Sequence, residues 1–247
     1  MLLELCASSM VRAMSRACFE DPAIMNVTEA VASRRSVRAF LDKPVDEAVL
    51  RRVLTTAQAS PSGGNTQPWN AIILTGQPLA DLTAKIKAKA ATAPMGEAPE
   101  YDIYPKGLEG RYEDQRRGVG KAMFDALGLA REDGAGRIAQ MMKNWDSFGA
   151  PVQLFTYTRK YMGPPQWSDM GMWLQTVMLL LREEGLDSCA QEIWAMYGTY
   201  MRELLNIDDD HIFFCGMAIG YRDADAAVNN FTVPRVEIGQ AIRWEGF

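Results

Sequence analysis

Arg34-Arg35-Ser36-Val37-Arg38 and Ser60-Pro61-Ser62-Gly63-Gly64-Asn65-Thr66-Gln67-Pro68-Trp69 decide how this chain is read, and a single helical segment lies between them. The first stretch gathers three guanidiniums and a hydroxyl at the end of a short helix. Arginine presents a planar fork that matches phosphate oxygens, although a basic run at a helix C-terminus also suits simple solvation and the helix dipole. In the second stretch the paired glycines permit close backbone approach and positive φ. Asn65 and Gln67 offer amide donors and acceptors suited to the edge of a heterocycle. It also reads as a turn between helix and strand, but it is longer and more polar than such a connection needs. A third stretch, Gly185-Leu186-Asp187-Ser188-Cys189-Ala190-Gln191-Glu192, takes a helix end into a short strand and finishes on a polar pair that suits either a surface or a site.

Working outward, apolar periodicity predicts helices over Leu2–Phe19, Val27–Arg34, Glu47–Ala59, Leu79–Ala91, Glu109–Leu127, Glu132–Trp145, Trp167–Glu184 and Tyr197–Leu205. Strands are predicted at Asn70–Thr75, Val152–Thr158, Leu186–Ala190 and His211–Gly220. Residues 94–108, rich in Pro, Gly and Tyr, read as a long loop. The tail from Tyr221 to Phe247 is polar and irregular but carries Phe231, Val233, Val236, Ile238, Ile242, Trp244 and Phe247. It is therefore expected to lie over another surface, such as a partner subunit. Strands scattered among more numerous helices suggest a layered α/β or α+β domain. Three regions are expected: a helical extension over 1–25, the main domain over 26–220, and the arm over 221–247.

The chain has 247 residues, 48% of them hydrophobic, and a net charge of −5, with a pI near 5.1. Such a mildly acidic protein lacks the basic footprint that nucleic acid or anionic membrane requires. The apolar runs Met172–Leu181 and Ile212–Gly220 fall short of the ~18 residues of a membrane span. Glu4, Arg12 and Arg16 interrupt the apolar residues at the start of the sequence, and no secretory signal is expected. A cytoplasmic protein is expected, with Cys6, Cys18, Cys189 and Cys215 reduced, since no two are spaced as CxxC. His211 is the single histidine, so a multi-histidine metal centre is excluded and difficult chemistry would have to come from a cofactor. Gly134-Ala135-Gly136-Arg137-Ile138-Ala139 matches GxGxxA, but the charged residues before it are no hydrophobic strand, which argues against a dinucleotide fingerprint. Asp208-Asp209-Asp210 reads as a solvated turn, and no metal site is expected.

Taken together, RRSVR at 34–38 and SPSGGNTQPW at 60–69 resemble the nitroreductase family of FMN enzymes in order, spacing and residue type. Phe148-Gly149-Ala150-Pro151-Val152, the stretch 185–192 and the C-terminal GYRDADAAVNNFTVPRVEI ending at Ile238 extend the likeness, which runs from about residue 26 to the C-terminus and is nearest the nitrobenzoate-reductase type. The resemblance implies a three-layer α-β-α sandwich in a homodimer with a swapped C-terminal arm. It implies non-covalent FMN, with NAD(P)H as co-substrate and a small aromatic or conjugated acceptor, such as a nitroaromatic or quinone, reduced in ping-pong turnover on the flavin. Carried over by position, Arg34, Arg35, Ser36 and Arg38 would hold the phosphate and ribityl chain, and Arg235 would return to the same phosphate. Pro61, Ser62, Gly63 and Asn65 would come from the other subunit, and Asn144, Gln191 and Glu192 would lie near the ring. No protein side chain is expected to be catalytic. Many relatives have glycine where this chain has Ile193, so the backbone path there is open, and the 94–117 loop is where relatives differ. Enone reduction, reductive dehalogenation or desaturation on the same fold, and flavin binding without turnover, are the alternatives.

Overall fold

The computed structural model describes residues 25–247. The expected helix at Leu2–Phe19, with Cys6 and Cys18, lies outside the described residues.

Four strands form the sheet: β1 (Asn70–Thr75), β2 (Val152–Arg159), β3 (Asp187–Gln191) and β4 (His211–Gly220). Their order is β1-β2-β4-β3, and every neighbouring pair is antiparallel. The α+β half of the expectation is thus the correct one. The helices are α1 (Val27–Ser33), α2 (Glu47–Ala57), α3 (Gly76–Thr92), α4 (Gly110–Ala126), α5 (Gly134–Met142), α6 (Pro164–Glu183), α7 (Gly198–Leu204) and α8 (Ile238–Ala241). Among the described residues no helix is long and apolar enough to cross a membrane.

Local chemistry starts these helices. Asn26 and Glu29 form a reciprocal capping box at α1, each side chain accepting from the other's backbone N–H at 3.0 Å. The Asp46 carboxylate accepts from Ala48 N at 2.8 Å at the head of α2, and Pro164 opens α6 where a missing N–H costs nothing. Period-two alternation then splits the core. Val152, Leu154, Met217 and Ile219 face α2 and α6 through Leu50, Val53, Trp173 and Leu181. On the other face Phe155 and Phe213 meet Ile86 of α3, Met201 of α7 and the indoles of Trp145 and Trp194. The result is the three-layer sandwich the resemblance implied.

Two irregularities shape the site. In the β2–β4 ladder Thr156 pairs with Cys215 and Tyr157 with Phe213, which leaves Phe214 as a bulge residue. The loop after α3 seals this bulge. Phe213 N donates to the Glu100 carboxylate at 3.2 Å, and the Tyr101 hydroxyl donates to the Phe214 carbonyl. Buried Arg202 holds Glu100 at 3.1 Å and Asp209 at 2.8 Å. The second irregularity corrects an expected helix. Instead of running to Trp145, α5 stops at Met142, and Lys143–Gly149 forms a 3₁₀ segment. Within it Ser147, Phe148 and Gly149 all take positive φ, at 50°, 56° and 82°.

The arm begins by stitching itself to the 34–41 segment. Leu41 N donates to Tyr221 O at 2.8 Å and Asp223 N to Ala39 O at 3.1 Å. Asn229 accepts from Arg38 N and donates to the Ala39 and Asp223 carbonyls, each at 2.8 Å. Further on, Ile238, Ile242, Trp244 and Phe247 are exposed.

Candidate functional site

A groove of about 1040 Å³ opens between the end of α1, the start of α4 and the arm. Arg34, Arg35, Ser36, Arg38 and Arg235 all line it, so two stretches some 200 residues apart in sequence converge as the resemblance implied. The Val37 N–H donates to Ser188 O of β3 at 3.1 Å, and this bridge anchors the basic run at the sheet edge. Val37, Phe40 and Cys189 are buried together beneath it.

The four arginines that converge from the basic run and the arm are not neutralised by the protein. Among the described residues, Arg34, Arg35, Arg38 and Arg235 form no ion pair with a carboxylate. Their protein contacts are carbonyls: Arg35 to Phe231 O at 3.3 Å, Arg38 to Ser36 O at 3.2 Å and Arg235 to Val233 O at 3.0 Å. Burial, with the positive charge of Arg235 added, lowers the Arg34 pKa from its ordinary value. Unpaired guanidiniums facing one another oppose folding unless an anion lies among them. The donor set suits a phosphate, which accepts several forked N–H pairs at once.

A second group lies at the end of β3. Gln191 Nε2 donates to the Asn144 carbonyl at 2.9 Å and to its side-chain oxygen at 3.3 Å, which unites two residues predicted separately. Glu192 keeps solvent access at the rim, yet surrounding protein desolvates its carboxyl and raises its pKa. Glu192–Tyr197 is a 3₁₀ turn, and Ile193 is absent from the positive-φ residues. Its side chain therefore needs no backbone that only glycine could adopt.

The loop at 60–69 stands apart, and none of its residues lines the groove. It is nonetheless built. Ser62 Oγ accepts from Gln67 N at 3.0 Å, and Gly63 N donates to buried Asp169 of α6 at 3.2 Å. Gly64, Asn65 and Gln67 take left-handed φ of 58°, 57° and 46°, while Pro61, Gly63 and Asn65 remain exposed. Within one chain, then, the arginine run and the glycine loop do not meet. Sequence reading missed Asp169, Asn229 and Tyr104, the last of which lines the groove. Only the Asn229-Asn230 pair in an otherwise plain arm gave any hint.

The competing motifs find other roles. Gly136 N caps onto Asp133 at 2.8 Å to start α5, and the preceding element is α4 rather than a strand. Asp209 pairs with Arg202 and Asp210 with Arg159. His211 begins β4, with Nδ1 2.6 Å from Asp210 Oδ1 but out of line for a hydrogen bond.

The model of the Nitroreductase family matches residues 31–221. A 4-nitrobenzoate reductase of Pseudomonas putida is 35% identical over 205 residues, covering 83% of this chain and 89% of its own. The crystal structure of the FMN and NADPH-dependent nitroreductase NfnB from Sphigopyxis sp. strain HMH superposes with a TM-score of 0.88 at 53% identity, over 90% of this chain and all of that one. The FMN-dependent nitroreductase NfnB from Mycobacterium smegmatis, in complex with NADPH, gives a TM-score of 0.83 at 26% identity over the same shares. The matched segment holds the basic run, the glycine loop and the Asn144–Gln191 pair on one antiparallel sandwich, and by that match the chain belongs to the nitroreductase family.

Proposed function

We propose that this protein binds FMN non-covalently, takes electrons from NAD(P)H and reduces a small nitroaromatic. The observation that carries the reading is the groove in which Arg34, Arg35, Arg38 and Arg235 gather without a carboxylate partner among the described residues. Bound FMN would supply a two-electron carrier, the chemistry this chain's side chains lack. The chain's own work is to bind and orient. Arg34, Arg35, Arg38 and Arg235, with the Ser36 hydroxyl, neutralise the phosphate and hold the ribityl chain. The Asn144–Gln191 hydrogen bonds fix the end of β3, so that its backbone and Glu192 present a rigid polar edge to the ring. Donors held in place cost no reorganisation during reaction.

The exposed loop Pro61, Ser62, Gly63 and Asn65 completes the site from a second subunit in a homodimer, and the 221–247 arm wraps that partner. Its exposed Ile238, Ile242, Trp244 and Phe247 favour this arrangement. Such a site suits ping-pong turnover and acceptors such as nitroarenes or quinones in the cytoplasm.

Purified protein should be yellow and release FMN on denaturation. A colourless protein that gains no flavin spectrum when FMN is added overturns the reading. A charge-assisted hydrogen bond contributes ~1.5–3 kcal/mol, so Arg235→Ala should weaken FMN binding about 10- to 100-fold, read by fluorescence titration.

A further inference from the structure

The loop at 60–69 is fastened at both feet. At one foot the Ser60 hydroxyl donates to Ala57 O at 2.8 Å. At the other the Thr158 hydroxyl donates to Pro68 O at 2.8 Å, and Trp69 Nε1 donates to the Gln58 side chain at 2.9 Å. The Trp69 indole also stacks on Trp173 of α6, with ring centroids 6.1 Å apart. The tip between the feet, residues 61–67, bonds mainly to itself: Gln67 N donates to Ser62 Oγ, Gln67 Nε2 to Asn65 O, Asn65 N to Ser62 O and Thr66 N to Gly63 O. Among the described residues a single hydrogen bond joins this tip to the rest of the protein, from Gly63 N to the Asp169 carboxylate at 3.2 Å.

Asp169 is out of character with its surroundings. It is 4% exposed, its buried companions on α6 are Met170, Trp173, Leu174, Val177 and Leu181, and it forms no ion pair among the described residues. A desolvated carboxylate without a cation costs free energy and adds nothing to an apolar core, so its presence there points to the bond it makes. An N–H donated to a carboxylate forms a stronger hydrogen bond than one donated to a neutral acceptor. The tip also needs an external hold. Gln67, which has a β-carbon, takes φ of 46°, a region such residues keep only where their surroundings impose it. We propose that Asp169 is the positioning residue of the glycine loop. Its carboxylate, carried on a core helix, grips Gly63 and so holds the 61–67 tip in the shape it presents to the flavin of the second subunit. That role rests on the composite-site reading; the grip on Gly63 does not.

The test uses the full-length protein with FMN. Asp169→Leu keeps the volume among apolar neighbours and removes the acceptor, whereas Asp169→Asn keeps an acceptor without the charge. Hydrogen exchange of the Gly63 amide should be slow in wild type, about 10- to 100-fold faster in Asp169→Leu, the factor one charge-assisted hydrogen bond carries, and intermediate in Asp169→Asn. FMN affinity should fall about tenfold in Asp169→Leu and be partly restored in Asp169→Asn. A loss acting within the same chain, for instance through Gln175, which α6 lends to its own groove, is separated by mixing chains. Pairing Asp169→Leu with a chain carrying Arg34→Ala and Arg235→Ala puts every defect in one site, so one FMN per dimer should bind with near-wild-type affinity. A defect in Asp169's own groove would spoil both sites instead. Unchanged Gly63 exchange in folded Asp169→Leu overturns the proposal. So does a heterodimer without recovery when the same arginine variant does recover with Ser62→Ala plus Asn65→Ala. If that control pairing also fails, the composite-site reading falls instead, and Gly63 exchange still reports on the grip. If Asp169→Leu does not fold, the wild-type Gly63 amide decides: exchange at the rate of an open chain overturns the grip.

Discussion

Burial pushes the Cys215 thiol up to about 12, against the opposing pull of the Thr156 hydroxyl 3.4 Å away. An unfolded thiol ionises near 9.0, so the folded state retains a proton that the unfolded state releases between those values. The stability associated with the neutral thiol is fully present below pH 9 and is lost as pH rises toward 12. Tyr101, raised by the same cause, acts in the same direction. Cys215→Ala should make the alkaline decline of unfolding free energy shallower, by up to about 1.4 kcal/mol per pH unit; an unchanged slope in urea titrations from pH 8 to 11 would count against this assignment. Residues of this kind were only partly legible in the sequence. The arginines at 34, 35 and 38 declare themselves because they are contiguous and carry one chemistry. Asp169 and Asn229 do not, because each gains its role from a partner brought to it by the fold: Gly63 and Ala39 respectively.

Among the elements, the stretch after α3 looks like a free loop by composition, yet Glu100 and Tyr101 close the β4 bulge. Glu100→Ala would leave Phe213 N without its acceptor and remove one of the two carboxylates that neutralise buried Arg202. A loss of about 1–3 kcal/mol in urea unfolding is expected, with faster proteolysis between residues 94 and 108. Unaltered stability and protease resistance would mean the loop is not held there. Strand β4 was legible to the residue, since an apolar run from His211 is closed by Gly220 ahead of polar sequence. The early end of α5 was not. Positive φ at Ser147 and Phe148 has no side-chain signature, because neither residue is one that the left-handed region favours.

At the scale of the whole molecule, the two halves of the candidate site lie apart within one chain, and the proposed dimer brings them together. This can be tested by complementation. One variant carries Arg34→Ala with Arg235→Ala, another Ser62→Ala with Asn65→Ala, and each homodimer should bind FMN poorly. A heterodimer collects all four substitutions in one site and none in the other, so one FMN per dimer should bind with near-wild-type affinity. Folded heterodimers that show no recovery would mean each flavin is held within a single chain. The arm's apolar residues hinted at such a partner in the sequence; in the proposed dimer the surface they cover belongs to a second copy, which no single-chain pattern encodes. The strand order has a separate consequence, for synthesis. Strand β4 is the last to be made and the one that must lie between β2 and β3. A ribosome that has translated four-fifths of the message has therefore produced three strands, of which β1 and β2 can pair while β3 has no neighbour. Both apolar layers wait in that state until Gly220 clears the exit tunnel, so vectorial folding cannot proceed by stable stages. Such a nascent chain is a natural client for holding chaperones, and a stalled or truncated product would be cleared rather than persist as a smaller folded unit.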